Sequence, residues 1–511
     1  MRDPLVGGGH AGDPSCRRPA TISPMRLYTL IALTFSSCAA FAGPFVAPGD
    51  MALRHDIQRL ADYGVIKGAV TTWPLAWGPI LADLQNVDVT ALPPNILDAL
   101  VRLKNRAAWE TRSAELTFKA KVGAADDASR IRSFQDTPRG KVEAAAGVGW
   151  IGDWFSVDLN VQYVDSDQDD EDFRYDDSML GIVLDNYSVT ASTMQRWWGP
   201  GWDGSLILSN NARPMPSLTI DRVFTDAFET KWLSWLGPWD LSIMFGQMEE
   251  ERHIPNTKFF GMRFNFRPIP SLEIGLSRTA QWCGDGRPCD FETFVDLLLG
   301  QDNRGSDGLD ESTEPGNQLA GIDVRWSPSF FSIPVAAYGQ LIGEDEAGGF
   351  PSRYLAQGGF EVSGYLWNKW SYRWYAELAG TSCDFISDDI FNCAYNHGIY
   401  QTGYRYRGRA VGHGADNDAR LISTGWLMVD EKDTQWRVLV RFGELNRGGP
   451  PDAHNSLTAT PQDIASIDLS HSRAFPFGVI DVGVGFEQID DTASGNSLNN
   501  GRAYLQWRSS Y

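Results

Sequence analysis

The run Trp197-Trp198-Gly199-Pro200-Gly201-Trp202-Asp203-Gly204-Ser205, continuing to Asn210-Asn211-Ala212-Arg213-Pro214-Met215, concentrates groups suited to holding sugars. Trp197, Trp198 and Trp202 offer flat apolar faces, while Asp203, Asn210, Asn211 and Arg213 offer donors and acceptors for hydroxyls. The glycines and prolines bend the backbone that carries them. The same composition also fills barrel interiors and interfacial girdles, so a packing reading stands beside the chemical one. A second stretch, Tyr400-Gln401-Thr402-Gly403-Tyr404-Arg405-Tyr406-Arg407-Gly408-Arg409, alternates Tyr with Arg inside an acidic protein. Arg pairs in bidentate fashion with uronate carboxylates, and Tyr supplies a stacking face with a hydroxyl handle. Tyr400, Tyr404, Arg405, Tyr406, Arg407 and Arg409 are therefore candidate contacts for an acidic sugar chain. The alternative is a single strand with Tyr on one side and Arg toward a lumen. Trp282 and Arg287 are further candidates, in a long extracellular loop expected from Trp282 to Asp310.

Catalytic patterns fit less well. Glu344, Asp345 and Glu346 are clustered carboxylates, and a glycosidase needs two across a sugar bond, but neighbouring Gly343 and Gly348-Gly349 point to a strand end and a loop-mouth acidic patch. His55, His253, His397, His413, His454 and His471 sit in no recognisable nucleophile motif, and no P-loop or dinucleotide fingerprint opens a helix after a strand. The reading is a non-enzyme without cofactor or metal.

The tryptophan-rich block also resembles the core signature of the capsule assembly Wzi family, outer-membrane β-barrel lectins that hold capsular polysaccharide on the cell surface. Further similar stretches are Glu314-Pro315-Gly316-Asn317-Gln318-Leu319-Ala320-Gly321, Gly339-Gln340-Leu341-Ile342-Gly343-Glu344-Asp345-Glu346, and Leu60-Ala61-Asp62-Tyr63-Gly64-Val65-Ile66 followed by Thr72-Trp73-Pro74-Leu75. Their order and spacing resemble the family from about residue 50 to the C-terminus. The resemblance implies a barrel of about 18 strands, a small periplasmic helical bundle closing its mouth, and polysaccharide as the partner.

The elements that must position these residues follow from export. Met25-Arg26, the apolar run Leu27 to Phe35 and the small-residue site Ala40-Phe41-Ala42 read as a signal peptide over 25–42, with 1–24 as a non-native N-terminal extension. A lipoprotein acceptor at Cys38 is a weaker alternative. Removing residues 1–42 discards four Arg and two Asp, which takes 44 Lys+Arg to 40, 65 Asp+Glu to 63 and the net charge from −21 to −23. Nucleic acid is an unsuitable partner for such a chain. The acidic run Asp165 to Asp172 is expected in a solvated loop. Four cysteines then remain, in two local pairs, Cys283 with Cys289 and Cys383 with Cys393. Each pair could staple one loop; zinc is the competing idea, against which neither pair is a CxxC.

No stretch after Leu33 is apolar for long enough to cross a bilayer as a helix, so a membrane form must be a closed barrel. Period-two alternation is the expected signal, and it recurs. Phe155, Val157, Leu159, Val161 and Tyr163 alternate with Ser156, Asp158, Asn160 and Gln162. Phe260, Met262, Phe264 and Phe266 alternate with Gly261, Arg263 and Asn265. Trp436, Val438, Val440 and Phe442, and Ile480, Val482, Val484 and Phe486, do the same. A soluble sandwich would show this too, but strand-end aromatics such as Trp150, Trp154, Trp326, Trp367, Trp370, Trp374 and Trp426 favour lipid. The terminal Tyr511, with Trp507 and Leu505, resembles the signal read by the barrel insertion machinery.

Residues 43–113 read instead as three short amphipathic helices, with Asp50 as N-cap and Gly64 closing the first, a second after Trp73-Pro74, and a third after Pro93-Pro94. The remaining 114–511, at about 22 residues per tilted strand with its connection, allows the roughly 18 strands that the resemblance implies, where composition alone would allow about 16 to 20. The expected protein is a monomeric, transmembrane antiparallel β-barrel in a Gram-negative outer membrane, tethering capsular or extracellular polysaccharide as a non-catalytic lectin. The alternative is a narrow channel with Arg263, Asp323, Arg325, Arg437 and Arg441 as its filter.

Overall fold

Inward-facing polar residues and outward-facing apolar ones organise the molecule, inverting the usual globular arrangement. Arg263, Asn265, Gln281, Asp323, Gln340, Glu361, Arg373, Glu377 and Arg441 are buried, while Val161, Leu276, Ile322, Leu378, Ile422, Phe442, Val484 and Leu505 are exposed. Such strands can close only around a polar lumen with lipid outside. The computed structural model describes residues 45–510 apart from 86, 300–315, 329–332, 348–349, 368, 384–389 and 450–453. The extension 1–24, the signal peptide 25–42 and Tyr511 lie outside the described residues. The described residues belong to one compact unit, Ala39–Tyr511.

Nineteen hydrogen-bonded segments form one closed ring. Phe173–Arg174 and Met179–Leu184 both pair with Phe155–Asp165 and share one position, so the barrel has 18 strands. It closes where Ser497–Ser510 runs antiparallel to Leu116–Ala125, with Tyr504 opposite Ala125 and Ser510 opposite Lys119. At one end the connections are mostly tight, as between Ile151 and Phe155, Leu366 and Trp370, and Phe475 and Gly478. At the other they are long, as at 126–141, 193–216, 283–315, 381–419 and 446–461. Outer-membrane barrels turn their short connections to the periplasm and their long ones outside, which fixes the orientation. Trp154, Trp326 and Trp367 are exposed near the periplasmic rim, as an interfacial aromatic belt requires.

The helices before the barrel form where the periodicity places them. α1 spans Met51–Asp62, with Asp50 Oδ1 accepting from Leu53 N at 3.1 Å; α2 is Trp77–Gln85 and α3 is Pro94–Glu110. Ile96, Leu100 and Leu103 of α3 join Leu53, Ile57 and Leu60 of α1 in one apolar cluster. The polar side of α1 is not solvated: Arg54, His55, Asp56, Gln58 and Arg59 are all buried, with His55 and Arg59 on Ser371 of the wall, Asp56 on Arg102 of α3 and Arg54 on Pro200 and Trp202.

One expectation is corrected. The segment after Cys289 is not all loop but contains α4, Phe291–Leu299. Asp290 Oδ1 accepts from Thr293 N at 2.9 Å, and Phe294 packs on the outward rings of Phe245, Phe260 and Trp282. Arg278, on the lipid-facing side of its strand, donates to the carbonyls of Leu297 and Leu298 at 2.7 and 2.8 Å, so its charge is met by the α4 C-terminus.

Candidate functional site

The tryptophan-rich block does not lie on the surface. It folds into the lumen from the extracellular end, and Trp197, Trp198 and Trp202 are at most 1% exposed. Trp197 and Trp198 pair with Trp73 and Thr72 of the amino-terminal segment as a two-residue ladder. The two fillings of the barrel meet at Arg54 of α1. Its guanidinium carbon lies 4.3 Å from the Phe134 ring centroid and 4.2 Å from that of Trp202, and its Nη2 donates to Pro200 O at 2.9 Å. Burial pulls the Arg54 pKa down to about 10, against the opposing pull of Glu377 and Glu361.

A buried irregular backbone needs partners for every N–H and C=O, and the strands supply them. Glu377 accepts from the backbone N–H groups of Trp202, Asp203 and Gly204, from Tyr338 OH at 2.7 Å and from Gln357 at 3.0 Å. Trp202 Nε1 donates to Glu361 Oε2 at 2.6 Å. Gln340 accepts from Leu206 N at 2.7 Å and donates to Trp198 O at 3.0 Å. Asp203 pairs with Arg441 at 2.6 Å; burial pushes the Asp203 carboxyl up, but Arg441 outweighs it and holds it below the usual carboxylate range. Gly204 is required, since a Cβ there would lie 2.1 Å from Nε2 of the His413 ring.

The Tyr/Arg stretch is neither a barrel strand nor an open binding face. It is a small hairpin, Arg405–Tyr406 against Arg409–Ala410, within the connection 381–419. Tyr404 OH donates to Ile207 O at 2.7 Å, Tyr395 OH to Leu206 O at 2.5 Å, and the two rings stack at 5.7 Å. Tyr400 OH donates to Cys283 O at 3.1 Å, joining the two disulfide-bearing loops. Arg405 reaches Asp416 at 2.7 and 2.8 Å and also Asn396 and Asn417. Tyr406 and Arg409 are buried, while Arg407 is partly exposed and pairs with Glu171 and Glu251 at 2.5 and 3.0 Å. The acidic run is likewise engaged: Arg213 binds Asp169 at 2.8 Å and Glu171 at 3.1 Å. Cys283–Cys289 and Cys383–Cys393 are disulfides, so these sulfurs are not metal ligands. Glu344 accepts from Tyr395 N at 3.1 Å. Trp282, Arg287, Arg213 and Arg407 are the sequence-derived candidates that are partly exposed.

The residues assigned to a channel filter hold the fillings in place. Arg263 binds Asp323 at 2.5 Å together with Thr71 and Thr72. Arg325 binds Asp62 at 2.5 Å and also Glu361. Arg437 donates to Ser133 Oγ at 2.9 Å, and Arg441 is taken by Asp203. Sequence reading missed the inward loops and the Glu361 and Glu377 clamps. The signal for the latter was a carboxylate on the lumen side of two adjacent strands, without a visible partner.

The comparisons agree with this architecture. The model of the family described as capsule assembly protein Wzi matches residues 115–490. A 55.8 kDa protein of the Klebsiella pneumoniae cps region, itself uncharacterized, is 31% identical over 421 residues, which is 82% of this chain and 81% of the relative. The solved Wzi of Escherichia coli, described as an outer membrane protein involved in group 1 capsule assembly and a carbohydrate-binding β-barrel, superposes with a TM-score of 0.78. It is 27% identical, covering 91% of this chain and 98% of its own. With its lumen filled from both ends by the segments that carry the family resemblance, this outer-membrane β-barrel belongs to the capsule assembly protein Wzi family.

Proposed function

We propose that the protein is a non-catalytic lectin that binds and tethers capsular or extracellular polysaccharide at the cell surface and helps capsule assembly. The observation that carries the reading is the near full-length likeness to the carbohydrate-binding E. coli barrel. The engaged lumen supports it: the arginines that would line a solute path are tied to the amino-terminal segment and to the inward-folded extracellular connections. Export by residues 25–42, assembly by the barrel insertion machinery and a monomer in outer-membrane lipid belong to the same reading. Contact falls to the partly exposed Arg213, Arg407 and Arg287, while Trp282 beneath α4 and the buried Trp197, Trp198, Trp202, Asp203, Tyr400, Tyr404, Arg405 and Tyr406 shape the surface around them. Single sugar contacts are weak, so retention comes from many repeat units meeting many copies.

The test pairs two assays on the detergent-purified protein: binding of extracellular polysaccharide from the source cells, and conductance in a planar bilayer. Saturable polymer binding without conductance is expected. Steady conductance without polymer binding would replace the lectin with a channel.

A further inference from the structure

Four arginines from two extracellular connections crowd together beside Asn210 and Asn211. Arg139 donates to the carbonyl oxygens of Asn210 and Asn211 at 2.8 and 3.3 Å. Arg409 donates to Asn211 Oδ1 at 2.9 Å, Gln168 Oε1 at 2.5 Å and Ser129 O at 3.1 Å. Arg132, buried, donates to the carbonyls of Thr137 and Pro138 at 2.7 and 3.2 Å, and Arg130 to that of Leu457 at 3.3 Å.

Counter-charge is scarce here, in a protein of net charge −21. Among the described residues, no carboxylate lies within 4.0 Å of the Arg139 or Arg409 guanidinium. Arg132 and Arg130 have one each, Asp136 at 3.6 Å and Glu487 at 3.7 Å. Asp136 and the nearby Glu143 are themselves held by Lys121 at 2.9 and 2.8 Å. The Nε atoms of Arg130 and Arg132 are buried with no hydrogen-bond partner. Burial, then Arg139 and Arg130, pull the Arg409 pKa down to about 9, as expected where positive charges crowd without an anion.

We propose that Arg139 and Arg409, backed by Arg130 and Arg132, form a carboxylate subsite for hexuronate residues of the polysaccharide, an inference that rests on the lectin reading above. The guanidinium groups of Arg139 and Arg409 now donate to neutral amide and carbonyl oxygens. A carboxylate displacing the Gln168 or Asn211 side chain would replace a neutral hydrogen bond with a shorter, charge-assisted and bidentate one. Gln168 and Gly408 are exposed and Arg139 and Arg130 partly so, which places the way in on the extracellular side.

The experiment uses full-length protein and two probes: the acidic polysaccharide of the source cells, and the same polymer with its carboxyl groups chemically reduced to alcohols. Arg139→Gln and Arg409→Gln are compared with wild type, and folding is checked by the unheated gel mobility of the barrel. Arg139→Lys serves as a second variant that keeps the charge and loses the fork. We expect at least tenfold weaker binding of the acidic polymer by both Gln variants, a smaller loss for Arg139→Lys, and no difference among the proteins toward the reduced polymer. Equal wild-type affinity for both polymers, or Gln variants that bind the acidic polymer normally, would overturn the subsite and leave the lectin standing. Binding of neither polymer by wild type would overturn the lectin reading and the subsite with it.

Discussion

The two fillings of the lumen solve one problem in opposite ways. In the amino-terminal filling, α1 is a helix whose backbone is satisfied internally, so its side chains reach outward: Arg54 to Pro200 O, Arg59 to Gly364 O and Ser371, His55 to Ser371, and Asp62 to Arg325. The extracellular filling is irregular, so the side chains of the wall reach inward to its backbone, as Glu377 does for Trp202 to Gly204 and Gln340 for Leu206. A regular element brings its own hydrogen bonds into a buried place, while a loop must borrow them from many distant residues. Stability of the loop is therefore spread over partners far apart in sequence. Single substitutions of its anchors should be felt more than equivalent ones in the helix.

The sharpest separation of the two regions comes from their buried ion pairs. Arg405→Ala strands Asp416, which is 0% exposed, and should destabilise the fold by about 4 kcal/mol, the cost typical of breaking a buried pair. Arg325→Ala in the helix anchorage should cost about 2 kcal/mol, because Glu361 keeps Arg373 at 2.7 Å and Asp62 retains access to water. Urea midpoints of gel-mobility unfolding measure both; equal losses would remove the asymmetry. The Arg405 variant should also lose polymer binding, through collapse of the hairpin and not through a lost contact.

Covalent support is the next difference, since both disulfides lie in the extracellular region. Replacing Cys383 and Cys393 by Ser should cost about 3 kcal/mol, from the loop-closure entropy returned to the unfolded segment. Limited proteolysis should then cut within 381–419 and leave α1 protected. Cleavage in the α1 region instead would show that the two fillings unfold together.

Acid separates the regions through His413, which is 2% exposed beside Gly204 and accepts from Ala415 N at 3.1 Å. Burial pulls its pKa from 6.5 to about 4, with Asp203 opposing. The unfolded chain then binds the proton more readily between those values, so this contribution is complete above pH 6.5 and is lost as pH falls toward 4. From pH 7 to pH 5 the loss is about 2 kcal/mol. Asp418, pushed up to about 6 by burial, runs the other way: its contribution is complete below 3.8 and is lost as pH rises through 6. The comparison is therefore made against His413→Asn, whose side-chain oxygen can still accept from Ala415 N. Wild type should lose about 2 kcal/mol more than this variant between pH 7 and pH 5. Parallel pH profiles would mean that His413 stays neutral or is solvated.

The same contrast explains what could be read from the chain. α1 to α3 were legible because a helix is specified locally, by the spacing of Ile57, Leu60, Ile96 and Leu100 and by the Asp50 cap. The strands were legible because Arg263 and Asn265 between Met262, Phe264 and Phe266 state which side is wet. The inward course of 193–216 was not, because Glu377 and Gln340 lie more than a hundred residues from the backbone they hold. Trp202 and Tyr404 bear the same chemistry whether they face a sugar or a carboxylate wall, so residue type alone could not place them. α4 was hidden by brevity, nine residues inside a long connection.

The smallest expected effect on stability is the most telling about the surface. Arg407 sits between the buried Arg405 and Arg409, and its side chain is 17% exposed against partners Glu171 at 46% and Glu251 at 77%. Pairs this solvated are worth less than about 1 kcal/mol, so Arg407→Ala should leave the urea midpoint within that range. Its guanidinium nevertheless stands at the extracellular face, where an acidic polymer could exchange with Glu171 or Glu251. Arg407→Ala should therefore weaken polymer binding severalfold at low salt, and the deficit should shrink as ionic strength rises. Since Arg405→Ala loses binding and fold together, a binding loss confined to Arg407→Ala would locate contact on the outer side of the hairpin. A wild-type affinity in this variant would move the contact toward Arg139 and the connection at 126–141.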